Sequence, residues 1–83
     1  MQRVDSGVLL DTGNAERLGE RKFQGSIQTL FRSGETYFKH VGRPGEPEEE
    51  GGLSLMTLEA ARSWAEGLTV EQYRSIFPDV EEG

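Results

Sequence analysis

The chain has no cysteine, and histidine and tryptophan occur once each, as His40 and Trp64. Without cysteine, neither a disulfide nor a thiolate metal site can add to the stability of the core, and nothing marks an oxidising compartment. No run approaches the roughly 18 apolar residues that a membrane-crossing helix requires. The opening Met1-Gln2-Arg3-Val4-Asp5-Ser6-Gly7 lacks the basic region and apolar stretch of a signal peptide. The expectation is a cytoplasmic protein, neither secreted nor membrane-spanning. Both glycine motifs that cradle phosphates, Gly-x-x-x-x-Gly-Lys-Ser/Thr and Gly-x-Gly-x-x-Gly, are also missing. No internal repeat of 20 residues or more is apparent, so a solenoid is not expected.

The 83 residues suffice for a single domain, close to the lower limit of unaided folding. The net charge of −6 is unevenly placed. Residues 1–43 carry seven Lys or Arg against five acids, and residues 44–83 carry two against ten, so the halves stand near +2 and −8. An acidic half repels a phosphate backbone, which disfavours direct nucleic-acid binding. It serves solubility, or it docks on a basic protein partner.

The strongest structural signal lies at the C-terminal end. Leu58, Ala61, Ala65 and Leu68, with Trp64 beside them, form one stripe of a helix opened by Thr57, with Glu59, Arg62, Ser63 and Glu66 toward water. Gly67 ends it. Thr69-Val70-Glu71-Gln72 matches a capping box for a second helix, with Val70, Tyr73, Ile76 and Phe77 inward and Pro78 as its stop. The tail from Asp79 to Gly83 is expected to fray.

Ser26–Arg32 and Thr36–Val41, rich in β-branched and aromatic residues, flank Ser33-Gly34-Glu35 and predict a hairpin. With a two-residue loop, Ile27, Thr29 and Phe31 share a face with Thr36, Phe38 and His40. A Ser33-Gly34 loop would set Arg32 opposite Glu35, whereas a Gly34-Glu35 loop would not. Leu53-Ser54-Leu55-Met56 reads as a third strand. Further upstream, Val8-Leu9-Leu10 reads as a short strand, Asp11–Asn14 as a loop, and Ala15–Glu20 as one helical turn capped by Asn14. Between hairpin and third strand, residues 42–52 hold two prolines, four glycines and four glutamates, the composition of a flexible acidic loop. The expected architecture is therefore α+β, a single domain over 1–83, with a small antiparallel sheet packed against two short C-terminal helices.

The chemistry-bearing residues are few. His40 is the only imidazole, and no serine stands at the spacing of a nucleophile elbow or triad, so it reads as a structural histidine at a strand edge. A small hydrolase would rest on His40 alone. Consecutive Glu48-Glu49-Glu50 cannot all aim at one ion, and the alternating ligands of a calcium loop are absent, so no metal and no cofactor is expected. Trp64 and Tyr73 read as core. Two partner-binding sets remain: Glu46, Glu48, Glu49 and Glu50, placed to mimic phosphates toward a basic groove, and, as the alternative, a basic-aromatic strand surface of Arg32, Tyr37, Lys39 and Arg43 for single-stranded nucleic acid.

Gly13-Asn14-Ala15-Glu16-Arg17-Leu18-Gly19, Thr29–Phe38, Leu55–Glu66 and Tyr73–Phe77, in this order, resemble small acidic proteins of unassigned function from bacterial plasmids, conjugative elements and phages, especially of Firmicutes. The proline- and glutamate-rich segment 42–52 departs from the glycine-containing loop expected there. The absence of a catalytic set leads to the expectation of a non-enzymatic protein-binding domain; the resemblance implies accessory work on a mobile element rather than metabolism and assigns no residue a role. By analogy with other small acidic proteins of such elements, it points to an inhibitor of a host nucleic-acid-binding or defence protein, in the manner of anti-CRISPR proteins.

Overall fold

A computed structural model of the protein describes residues 1–81 and 83. Four strands, β3 (Glu16–Phe23), β4 (Ser26–Ser33), β5 (Thr36–Gly42) and β6 (Gly52–Met56), form an antiparallel sheet in sequence order. A separate hairpin of β1 (Gln2–Asp5) and β2 (Val8–Asp11) precedes it. Helices α1 (Leu58–Ala65) and α2 (Val70–Ile76) follow it. The architecture is α+β with the helices C-terminal, as the sequence pattern predicts.

Alternation along β4 decides the layering. Leu30 points to the helices and packs with Ala61, Trp64, Ala65, Ile76 and Phe77. Phe31, one residue on, points the other way and clusters with Leu10 of β2, Phe38 and Leu53. The sheet is thus the middle of three layers, with the β1–β2 hairpin on one face and the helices on the other. Phe31 and Phe38 are directly opposed across the β4–β5 ladder with rings stacked at 5.4 Å. Ile27, Thr29 and Phe31 share their face with Phe38 and His40, as the two-residue loop requires. The loop is Gly34-Glu35, with Gly34 at φ 61°, the pattern of a type II′ turn. Arg32 accordingly faces Tyr37 and not Glu35, and pairs instead with Glu16 on β3 at 2.8 Å.

Residues 15–20 correct one expectation. No helical turn forms there, and Glu16–Phe23 is the outer strand of the sheet. One turn is too short to sustain itself as a helix. The tight turn at Gln24-Gly25, with φ 48° and 81°, folds this segment back along β4, so its main-chain groups bond into the ladder. A register shift between Arg17 and Gly19 lets Leu18 pack toward the helices. A Cβ on Gly19 would lie 3.2 Å from Leu68 Cδ1, so the glycine admits the helix layer close to the strand.

The helices begin as their caps dictate. Thr57 Oγ1 accepts from the Ala60 N–H at 3.0 Å, and Thr69 with Gln72 forms the reciprocal capping box. Leu58 and Val70 depart from the expected inner stripes, being 47% and 70% exposed. Each is the first residue of a two-turn helix, and only the second turn covers the sheet, through Ala61, Trp64 and Ala65 in α1 and Tyr73 and Ile76 in α2. Trp64 is core, as expected, and its indole Nε1 donates to Gln28 Oε1 at 2.8 Å. Arg21 of β3 donates to the Trp64 carbonyl at 2.7 Å and lies 5.5 Å from the Trp64 ring, tying the outer strand to the end of α1. Arg62 lies over the Phe77 ring and reaches Asp79 at 3.3 Å, so the tail is held at its first residue.

The β1–β2 hairpin is fastened at the opposite edge. Asp5 Oδ2 accepts from the Leu55 N–H of β6 at 2.9 Å. That bond, followed by the Ser6 hydroxyl and Arg3, holds the Asp5 carboxyl below its usual value, against a smaller opposing effect of desolvation. Asp11 is lowered likewise by Gln2, the Gly13 N–H and Asn14.

Two predictions follow from this packing. Leu30→Ala should cost about 3 kcal/mol by urea denaturation, because Leu30 is fully buried, whereas Val70→Ser should stay within about 0.5 kcal/mol. The second concerns acid. A carboxyl with a lowered folded-state pKa stabilises above its unfolded value and loses that contribution as pH falls through the folded one. Asp5→Asn should therefore be less stable than the parent at neutral pH, and the two denaturation midpoints should converge as the pH falls below the ordinary aspartate range.

Candidate functional site

The chain leaves β5 at Gly42, turns through Arg43–Glu46 with the Glu46 N–H bonded to the Arg43 carbonyl, and passes Pro47 into a 3-10 turn at Glu48–Glu50. It returns to β6 beside its point of departure, with Val41 opposite Gly52. This segment, read from composition as a flexible acidic loop, follows a path pinned by its main chain. His40 Nε2 donates to the Glu48 carbonyl at 2.8 Å. The Glu50 and Gly51 N–H groups bond the Pro47 and Glu48 carbonyls at 3.1 and 3.0 Å. Gly51 is required by close approach, since a Cβ there would stand 2.5 Å from the Val41 carbonyl and against the His40 ring. A Cβ on Gly42 would likewise come within 3.0 Å of His40 Cε1. His40 therefore acts as a structural clasp.

The pinned loop and the sheet border an open cleft of about 420 Å³. Its floor is Ile27, Thr29 and Phe31 of β4, and Arg17, His40, Arg43, Glu46 and Glu48 stand around it. Arg43 Nε lies 3.9 Å from Glu46 Oε1, an ion pair beyond hydrogen-bond distance. Arg17 is paired with Glu20 on its own strand. A second hollow of about 710 Å³ lies between the α1–α2 connection, Tyr73 and Val80, and none of the sequence-predicted site residues lines it.

The four glutamates do not form one cluster. Glu46 and Glu48 border the cleft, with the Glu48 carboxylate 3.8 Å from the amino group of Met1. Glu49 and Glu50 are exposed and have no ion-pair partner among the described residues. Nor does the structure bring Arg32, Tyr37, Lys39 and Arg43 onto one open surface. Arg32, Tyr37 and Lys39 alternate onto the helix side of the sheet, where the Tyr37 ring lies 5.8 Å from Phe77. Glu16, and then Tyr37, push the Arg32 guanidinium further above its usual pKa. Arg43 lies past the end of β5, bordering the cleft on the opposite side. Among the described residues, no three His, Asp or Glu stand close enough to hold a metal ion. No helix among the described residues is long and apolar enough to cross a membrane.

Thr29, Phe31 and Arg17 were not singled out as site residues from the sequence. The alternation along β4 gave the face that Thr29 and Phe31 occupy, but nothing local showed that loop 42–52 would overhang it. Arg17 fell in the segment read as a helical turn. Compared with known proteins, the chain matches no family model, no curated protein and no solved structure.

The clasp is testable. His40→Ala should cost about 1 kcal/mol of global stability and speed amide exchange at Glu50 and Gly51 well beyond that of the β4–β5 ladder. Uniform acceleration across the sheet would show instead that His40 supports the whole domain.

Proposed function

We propose that the protein is a non-enzymatic binding module that docks through Glu46, Glu48, Glu49 and Glu50 on a basic surface of a protein partner. The observation that carries this reading is the anchoring of the loop by main-chain bonds, which leaves the carboxylates of Glu49 and Glu50 exposed while the backbone beneath them has a set shape. A charged element shaped before contact spends less ordering entropy on binding, and its field speeds encounter with an opposite charge. Basic grooves of this kind occur on nucleic-acid-binding proteins, where the glutamates would stand in for phosphates. Together with the resemblance to small acidic proteins of mobile elements, this gives an inhibitor of a host nucleic-acid-binding or defence protein as the fullest form of the proposal.

The test is affinity purification of the tagged chain from lysate of its native host, with and without nuclease, followed by binding measurements on the enriched protein. A basic partner retained after nuclease is expected. The fourfold Glu→Gln variant at 46, 48, 49 and 50 should bind it at least about tenfold less tightly at low salt, with the difference shrinking as salt rises. Unchanged affinity in that variant would remove the electrostatic reading. Partners lost on nuclease treatment, with salt-sensitive retention of oligonucleotides in a gel shift, would replace it with nucleic-acid binding.

A further inference from the structure

The cleft between the sheet and loop 42–52 has features that the docking surface does not use. Its volume of about 420 Å³ falls within the roughly 300–1,000 Å³ of small-molecule sites. Thr29 lies in its floor with 8% of its surface exposed, and its hydroxyl has no hydrogen-bond partner among the described residues. That hydroxyl reaches the surface of the cleft, so it stands open to a group that enters from outside. Ile27 and Phe31, on either side of Thr29 along the same face, supply apolar walls. Above them stand one guanidinium and one carboxylate of opposite sign, Arg43 and Glu46, 3.9 Å apart.

We infer that this cleft binds a free α-amino acid with an apolar side chain. An α-amino acid carries a carboxylate and an ammonium on neighbouring atoms, which matches a loosely paired Arg and Glu better than either a pure anion or a pure cation does. Arg43 has five N–H donors and approaches Glu46 through Nε at 3.9 Å, too long for a hydrogen bond, so the guanidinium can receive the ligand carboxylate in a bidentate fork. The Glu46 carboxylate accepts from the ligand ammonium. The Thr29 hydroxyl bonds whichever ligand oxygen or nitrogen reaches the floor, and the side chain of the ligand lies against Ile27 and Phe31. No covalent step is involved. The inference shares Glu46 with the docking proposal but takes a small ligand, and Arg43, which lies outside the docking set, keeps the failure of one distinguishable from the failure of the other.

The experiment is a nitrogen–proton correlation NMR titration of the full chain with L-phenylalanine, compared with 3-phenylpropionate and 2-phenylethylamine, which keep the ring and one charge each. Shifts should concentrate at Ile27, Thr29, Phe31, Arg43 and Glu46 and saturate with a Kd on the order of 1 mM, the strength expected for a ligand of about a dozen heavy atoms. Both single-charge analogues should bind about tenfold more weakly, and so should L-phenylalanine to Arg43→Gln and to Glu46→Gln, whose spectra also report that the fold is kept. Absence of localised shifts, shifts centred on the helices, equal binding of either analogue, or indifference to both substitutions would overturn the inference.

Discussion

Leu30 and Phe31 are consecutive residues of one strand and both are buried, so the sheet cannot leave either face to water. Most of the remaining structure answers that demand. Burying a side chain of this size contributes about 1.5–3 kcal/mol, a large part of what a domain of 83 residues can hold in net stability. The C-terminal helices cover Leu30, and the N-terminal hairpin covers Phe31. Each cover is then fixed by a polar contact to an outer strand: Arg21 of β3 to the Trp64 carbonyl, and Asp5 to the Leu55 N–H of β6. The two ends of the chain thus meet opposite faces of the same strand, and removing either cover would expose apolar surface on β4.

The same arrangement sets where function can reside. With both sheet faces covered, a flat strand surface for stacking bases is not presented, and Tyr37 is spent on packing against Phe77. What stays open is the rim beyond the β5–β6 ends, where loop 42–52 overhangs Thr29 and Phe31. His40 joins the two regions: it belongs to the sheet by its backbone and to the loop by its imidazole. A loop of prolines, glycines and glutamates acquires shape from its own main-chain turns and from one donor on the strand beside it.

The helices, the central hairpin and the third strand were legible because their signals are local. Capping threonines, a stripe at helical spacing, and alternation on both sides of a glycine turn each sit within a few residues. The β1–β2 and β3–β4 hairpins were harder to read. Their turns, Ser6-Gly7 and Gln24-Gly25, place a non-glycine residue at positive φ, and neither serine nor glutamine announces such a turn as asparagine or aspartate would. Glu16–Phe23 lacks a clean apolar alternation, since its partnering comes from β4 and its bulge displaces Leu18. Of the site, the glutamates were visible as composition. The cleft was not, because it arises from a hydrogen bond between His40 and a backbone carbonyl eight residues away, which no residue type encodes.

The irregularity at Leu18–Gly19 bears on how copies of this protein behave toward one another. An outermost strand with regular spacing offers its free N–H and C=O groups as a template for another chain, and stacking of that kind leads to fibrils. Here the bulge breaks the spacing of that row, and Glu16, Arg17, Glu20 and Lys22 add charges of both signs along it. A protein whose core must be closed by its own two ends, and which therefore exposes apolar strands whenever an end lifts, gains from having the outer border of its sheet unsuited to zippering. Colloidal behaviour at high concentration is in this way written into one extra residue of β3.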